Sequence, residues 1–343
     1  MRAAICAGAL GSGAFAAHVT ADAAVPSAPM VEAGAPPALD LELEPGPAAA
    51  VDTEPLPIAT STPAPAAPDA EASPDLGGGL VVTGRTPHRL VLFTFDDGPD
   101  NRYTRRLLDA LDRAEIRATF FLTAGRIAGS TPWARDNAEI AREIARRGHV
   151  IGSHGRDHVA LTRVSGEALD TQVDGADDAI FEVLGIRPRL FRPPGGARSP
   201  RTDGYLAARG YTTMLWNLGT GDPQVETPEA VLETFRRVLA WREREDGSRG
   251  GVVLMHDIHR WSLEAFPRIV ALLDARNCEL YERGEELYDF VEDPSLFVVA
   301  RPEGASPSDE APPLILPDDV LAERQARARA RAEARCATTV ASR

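Results

Sequence analysis

Between about residues 87 and 300, short apolar runs alternate with longer amphipathic ones. No other feature restricts the fold as much. The strand-like runs are Leu90–Phe95, Ala118–Leu122, His149–His154, Arg189–Arg192, Tyr211–Leu218, Val252–Met255 and a short Glu279–Tyr281. They are brief, rich in branched and aromatic residues, and bounded by turn formers. The intervening segments read as helices: Tyr103–Ala114, Trp133–Arg147, Glu167–Leu184, Arg201–Arg209, Thr227–Arg244 and Ser262–Ala275. Leu107, Leu108 and Leu111 share one face of the first, Gly148, Gly185 and Gly210 end three of them, and Thr227-Pro228 is a start signal. Repeated strand–helix units predict an α/β fold, either a parallel sheet or a (β/α) barrel. In both, chemistry gathers at the C-terminal ends of the strands. The polar motifs of this chain fall at those ends.

The flanks differ in composition. Residues 1–24 carry Arg2, a weakly apolar stretch from Ala3 to Val19, and small residues at Ala21, Ala23 and Ala24. This pattern predicts a secretory signal peptide, and so export to the periplasm, cell envelope or medium. An Ala-rich unstructured tail is the competing reading. The stretch is too short and too weakly apolar for a transmembrane segment. Residues 25–86 are rich in Ala and Pro, with scattered acids and Gly77-Gly78-Gly79, which reads as a linker. The catalytic domain is expected at 87–300. Residues 301–343 return to Pro, Ser and Ala, then run Arg/Ala-rich from Val320 to Arg335. They are expected to form a disordered or helix-prone, solvated tail. The net charge is -14 and every basic residue is Arg, which argues against nucleic acid and anionic membranes as partners. Of Cys6, Cys278 and Cys336, none has metal-site spacing, and a Cys278–Cys336 bridge stays open.

The first chemical motif is Thr94-Phe95-Asp96-Asp97-Gly98-Pro99, where a buried strand meets a loop. Neighbours on an extended segment point to opposite sides, so Asp96 and Asp97 need not share a role. Two carboxylates this close call for a metal, an Arg or a shared proton. Ser153-His154-Gly155-Arg156-Asp157-His158 places two histidines four apart, on one helix face or converging in a tight loop. With Asp97 they make a two-histidine, one-carboxylate set that suits Zn²⁺ and is open to other divalent metals. In Phe191-Arg192-Pro193-Pro194-Gly195-Gly196 the prolines fix the backbone and Arg192 is a cationic partner for Asp96. Trp216 and Asp222 form a weaker fourth motif, and His256 in Leu254-Met255-His256-Asp257 stands at a strand end suited to a general acid.

In their order, these motifs resemble the NodB-type polysaccharide deacetylases, carbohydrate esterase family 4, over residues 90–290. Ala118-Thr119-Phe120-Phe121 adds to the likeness. The resemblance implies a distorted (β/α) barrel and metal-dependent removal of acetyl groups from N-acetylated sugars, with acetate released. It implies Asp96 as catalytic base, Asp97, His154 and His158 as metal ligands, and Arg192 as the residue that orients the base. It further implies His256 as general acid, Asp222 as its orienting carboxylate, Leu254 as a wall of the acetyl pocket and the Gly195 N–H as oxyanion donor. Two positions depart from the pattern. Gly195 stands where an aromatic is frequent, and Pro223 where a Trp commonly follows the fourth-motif Asp. Trp216 or Trp261 would then have to serve as pocket wall. Zn²⁺ is the expected cofactor, with Co²⁺ or Ni²⁺ as alternatives, and a carbohydrate polymer or oligomer the expected substrate. An O-acetyl esterase acting on xylan and a non-catalytic carbohydrate-binding protein are the competing readings. His259 and Trp261, just past the fifth motif, either line the cleft or form a plain surface loop.

Overall fold

The computed structural model describes residues 76–340, with side chains through residue 336. The expected leader and most of the expected linker lie outside the described residues. The elements run β1 (Leu90–Asp96), α1 (Thr104–Ala114), β2 (Thr119–Leu122), α2 (Pro132–Arg146), β3 (Val150–Ser153) and α3 (Glu167–Leu184). There follow β4 (Leu190–Phe191), α4 (Pro200–Ala208), β5 (Thr212–Thr213), β6 (Leu218–Gly219), α5 (Pro228–Glu245), β7 (Gly251–His256), α6 (Arg260–Glu282), β8 (Asp289–Phe290) and α7 (Asp318–Val340). Every pairing is parallel, in the order β5-β4-β3-β2-β1-β7-β6, with β8 joining the first residues of β1. This is the (β/α) barrel, left open between its end strands β5 and β6. Helix starts follow from local chemistry. The Thr227 hydroxyl accepts from Ala230 N–H at 3.2 Å before Pro228 opens α5, and Ser199 forms a reciprocal cap with Thr202 at α4.

The period of two along the strands sorts side chains into two cores. Val91, Phe93 and Phe95 of β1 pack outward under the helices, with Phe93 edge-on to Phe266 of α6 at 5.1 Å. Leu90 and Leu92 point inward and meet Phe121, Leu190, Met214 and Val252. On the same inward parity, Thr94 and Asp96 of β1, Arg192 after β4, His154 after β3 and His256 of β7 lie above that apolar plug. The barrel interior is therefore apolar below and polar at its C-terminal rim.

Four expectations are corrected. Residues 76–86, assigned to the linker, are packed chain: Leu76, Leu80, Val81 and Val82 are buried. Val82 N–H donates to Thr213 O and Leu215 N–H to Val82 O, both along the free edge of β5, and Gly84 lies against Asn217 and Val252 at the other side of the gap. This strip covers the open seam, for which Gly-rich sequence gave no sign because small residues are what fit there. Residues 301–336 are likewise part of the body rather than a solvated tail. Ala311 N–H donates to Val81 O, Gln325 exchanges two hydrogen bonds with the Leu287 backbone, Ala328 and Ala332 are buried, and Cys278 is bonded to Cys336. The packed domain thus extends beyond 87–300 at both ends. Glu279–Tyr281 is not a strand but the last turn of α6, where Leu280 continues the buried row of Leu273 and Asn277, and the closing strand is β8. Tyr211–Leu218 splits into β5 and β6, because the Met214 and Leu215 carbonyls turn to accept from Arg192 at 2.9 and 3.1 Å. No described helix is long and apolar enough to cross a membrane.

Candidate active site

Asp96 ends β1 and is 2% exposed. Its Oδ1 accepts from Arg192 Nη1 at 2.7 Å. Arg192 is fully buried and every arm is used: Nη1 also donates to Thr94 Oγ1 at 2.7 Å, while Nε and Nη2 take the carbonyls of Met214 and Leu215. Its plane lies over Phe121, 4.1 Å from the ring centroid, with Trp216 5.6 Å away. A buried guanidinium so completely bonded is rigid, and it fixes the carboxylate it pairs with.

His154 Nε2 lies 3.8 Å from Asp96 Oδ2, and Asp97, which leaves the strand with φ of 75°, turns to the same imidazole. Its Oδ1 lies 3.4 Å from His154 Nε2 and 3.2 Å from His158 Nε2. His154 and His158 converge in the loop after β3, not on a helix, and Gly155 (φ 80°) supplies the turn. His154 Nδ1 is 2.7 Å from the Arg192 carbonyl, so that nitrogen is the donor. In the neutral ring Nε2 is then a bare lone pair aimed at a carboxylate oxygen that has no hydrogen-bond partner. Two acceptors do not face each other without a cation between them. A tetrahedral ion about 2.0–2.1 Å from each donor holds its donors roughly 3.3 Å apart, which fits the spacing found. Asp97, His154 and His158 are the metal-capable group among the described residues. Burial pushes the Asp97 carboxyl up. The neighbouring imidazoles, His154 foremost, outweigh it and hold the group at about 2. Burial, opposed by Asp97, leaves His158 below its ordinary value.

Across the rim, β7 pairs with β1 so that His256 is in register with Asp96. His256 Nδ1 meets Asp222 Oδ1 at 2.9 Å, and its backbone N–H donates to Asp222 Oδ2 at 2.7 Å. Asp222 is 1% exposed and also accepts from Thr220 and Ser262. Burial lowers the His256 imidazole. The bond to Asp222 and its charge, then Asp96 and Asp97, overcome this and raise it to about 9. Nε2 is left to face the site. Leu254 stands two residues before His256 on the same inward face. Gly195 is exposed at φ 64°, directly after the two buried prolines.

The sequence-derived site residues thus come together at one end of the barrel. His259 and Trp261 belong to the start of α6 rather than to a plain loop. Their rings stack at 4.8 Å, and Trp261 Nε1 donates to the Asp222 carbonyl at 2.7 Å beside Pro223. Thr94, Thr220, Ser262 and Asp257 were not found from sequence. For Thr94 a signal existed, since it shares the parity of Asp96. Ser262 reaches Asp222 across 40 residues, with no local pattern to mark it.

Comparison with known proteins identifies the family to which a barrel with this rim belongs. The family model described as polysaccharide deacetylase matches residues 83–214. The peptidoglycan-N-acetylglucosamine deacetylase of Bacillus cereus is 31% identical over 179 residues, covering 51% of this chain and 77% of that protein. YlxY of Bacillus subtilis, described as uncharacterized, is 29% identical over 187 residues. The chain spans about half of YlxY, with 54% of each protein covered. The solved chitin deacetylase of Colletotrichum lindemuthianum shares the fold at a TM-score of 0.52 and 24% identity, covering 66% of this chain and 98% of that one. The chain belongs to the polysaccharide deacetylase family.

Proposed function

We propose that the chain is a metal-dependent hydrolase that removes N-acetyl groups from N-acetylglucosamine-containing polysaccharide and releases acetate. The observation that carries this reading is the arrangement at the rim: an Arg-held carboxylate and an Asp-held imidazole on paired strands, beside a two-histidine, one-carboxylate donor set. A divalent cation at Asp97, His154 and His158, with Zn²⁺ preferred over Co²⁺ or Ni²⁺, supplies Lewis acidity and a water of lowered pKa. Asp96, oriented by Arg192, removes the proton of the attacking water. The Gly195 N–H donates to the acetyl oxygen as negative charge develops on it. His256, protonated and oriented by Asp222, gives its Nε2 proton to the departing sugar amine. Leu254 and Trp216 flank the acetyl methyl, with Trp261 beside Pro223 on the far side.

The relatives named for peptidoglycan favour a cell-wall substrate after export, with chitin-like oligomers and exopolysaccharide as the other polymers to test. The decisive experiment follows acetate release by the full chain from N-acetylglucosamine oligomers, peptidoglycan and acetylated xylan. Release from the N-acetylated substrates that chelator stops and Zn²⁺ restores is the expected result, and Asp96→Asn should slow it by ~10²–10⁴. Release from xylan alone would replace amide by ester hydrolysis. Bound Zn²⁺ with no release from any substrate would leave a carbohydrate-binding protein.

A further inference from the structure

The register that sets Asp96 beside His256 also makes Asp97 and Asp257 leave the sheet as neighbours. Asp257 turns toward the first residue of α1 and is 1% exposed. Its Oδ2 accepts from Thr104 Oγ1 at 2.6 Å, and the same hydroxyl accepts from Asp100 N–H at 2.8 Å. Its Oδ1 has no hydrogen-bond partner. Gly98 lies against both oxygens: a Cβ there would stand 2.1 Å from each. Gly98 has no left-handed φ, so contact space is what demands glycine here. The loop Asp97–Asp100 is therefore seated on one carboxyl, at Gly98 by direct contact and at Asp100 through Thr104. Thr123 N–H and Arg126 hold the Gly98 and Pro99 carbonyls from the β2 side, at 3.0 and 3.3 Å. Asp97 itself, at φ 75°, holds a conformation that a non-glycine residue keeps only where its surroundings enforce it.

We propose that Asp257 is a positioning residue for Asp97: its carboxyl is the abutment on which the Gly98 backbone rests, and it thereby keeps the Asp97 carboxylate turned toward His154 and His158. The inference rests on the reading that these three residues hold a cation. Groups behind a metal ligand typically contribute 10–100-fold to metal affinity.

The test is Zn²⁺ affinity of the full chain by competition with a chromophoric chelator, read independently of turnover. Asp257→Ala should bind about 10–100-fold more weakly. Asp257→Asn, with the same shape and an oxygen still able to accept from Thr104, should bind within about threefold of the parent, because the role is one of support. Val231→Ala, in the buried face of α5, should lower thermal stability and leave affinity unchanged, which separates support of Asp97 from general loosening. If Asp257→Ala does not fold, Thr104→Val takes its place and should bind more weakly, since it cuts the link to Asp100. Parent-like affinity in folded Asp257→Ala, or in Thr104→Val when that variant is needed, overturns the inference. An equal loss in Val231→Ala does so too. A parent chain that binds no Zn²⁺ overturns the metal reading and this inference with it; a parent that binds while Asp257→Ala binds equally well overturns this inference alone.

Discussion

Two carboxylates step off neighbouring strands at the same height and meet opposite fates. Asp97 enters a half-open ring of imidazoles, and its charge is favoured so strongly that the group is held at about 2. Asp257, one strand away, enters packed chain. Burial, helped by the charge of Asp97, raises it to about 7 against the opposing Thr104 hydroxyl, Arg126 and its own backbone N–H. The difference is not in the residue or the strand but in which way the next peptide turns. On the readings proposed above, one carboxylate serves as a ligand and the other as scaffold.

That contrast can be broken at either strand end. The largest effect is expected at β1. Asp97→Asn removes the charged donor but keeps the shape, and Zn²⁺ affinity should fall by more than the ~100-fold upper range seen for groups behind a ligand. Equilibrium dialysis measures it, and an affinity like that of the parent would deny Asp97 its place among the donors. Next is the β7 end. Asp222→Asn leaves His256 buried without its stabilising charge, so the imidazole should titrate about one to two pH units lower. NMR of the metal-free protein reads this directly, and an imidazole still at about 9 would show that Asp222 is not what holds the proton there.

The smallest effect is a difference of sign in stability. Asp97 has a folded-state value below its unfolded one, so its contribution is present above about pH 4 and is lost as the pH falls toward 2. Asp257 is raised, so the unfolded chain loses that proton first and stability declines between about pH 4 and pH 7. The slope is at most about 1.4 kcal/mol per pH unit. Urea unfolding of the metal-free protein over pH 4.5–7 should show the decline in the parent and not in Asp257→Asn. Parallel curves would mean that Asp257 is no more strained by ionisation than an exposed acid.

What the sequence made legible follows the same division. Positions that strand ends and spacing mark were readable: Asp96 and Asp97 at the end of β1, and His154 and His158 by their interval. His256 was marked by its strand end and Asp222 only weakly, and their pairing came from resemblance, since 34 residues separate them and no periodicity links them. Asp257 was quoted in its motif but carried no role, because its meaning lies in Gly98 and Thr104, more than 150 positions upstream. The seam strip was misread for a related reason. Gly77, Gly78 and Gly79 have linker composition, and only the tight approaches at Gly77 and Gly79, to Gly210 O and to Thr212 with Val298, show why small residues are there. Glu279–Tyr281 was misread because a short apolar, aromatic run at a chain turn looks alike in strand and helix.

The seam strip also sets the order in which the molecule can be completed. Val81 is among the first described residues to be synthesised, yet its backbone partners are Asp309 and Ala311, more than two hundred residues later. Leu80 waits for Val299, and Arg85 for Leu314. No growing chain can close its own barrel from the front. Such distant pairings make folding slow, and here the outer partners of the strip appear only once residues 299–314 have been made. Until then that side of the emerging polypeptide is open to a chaperone.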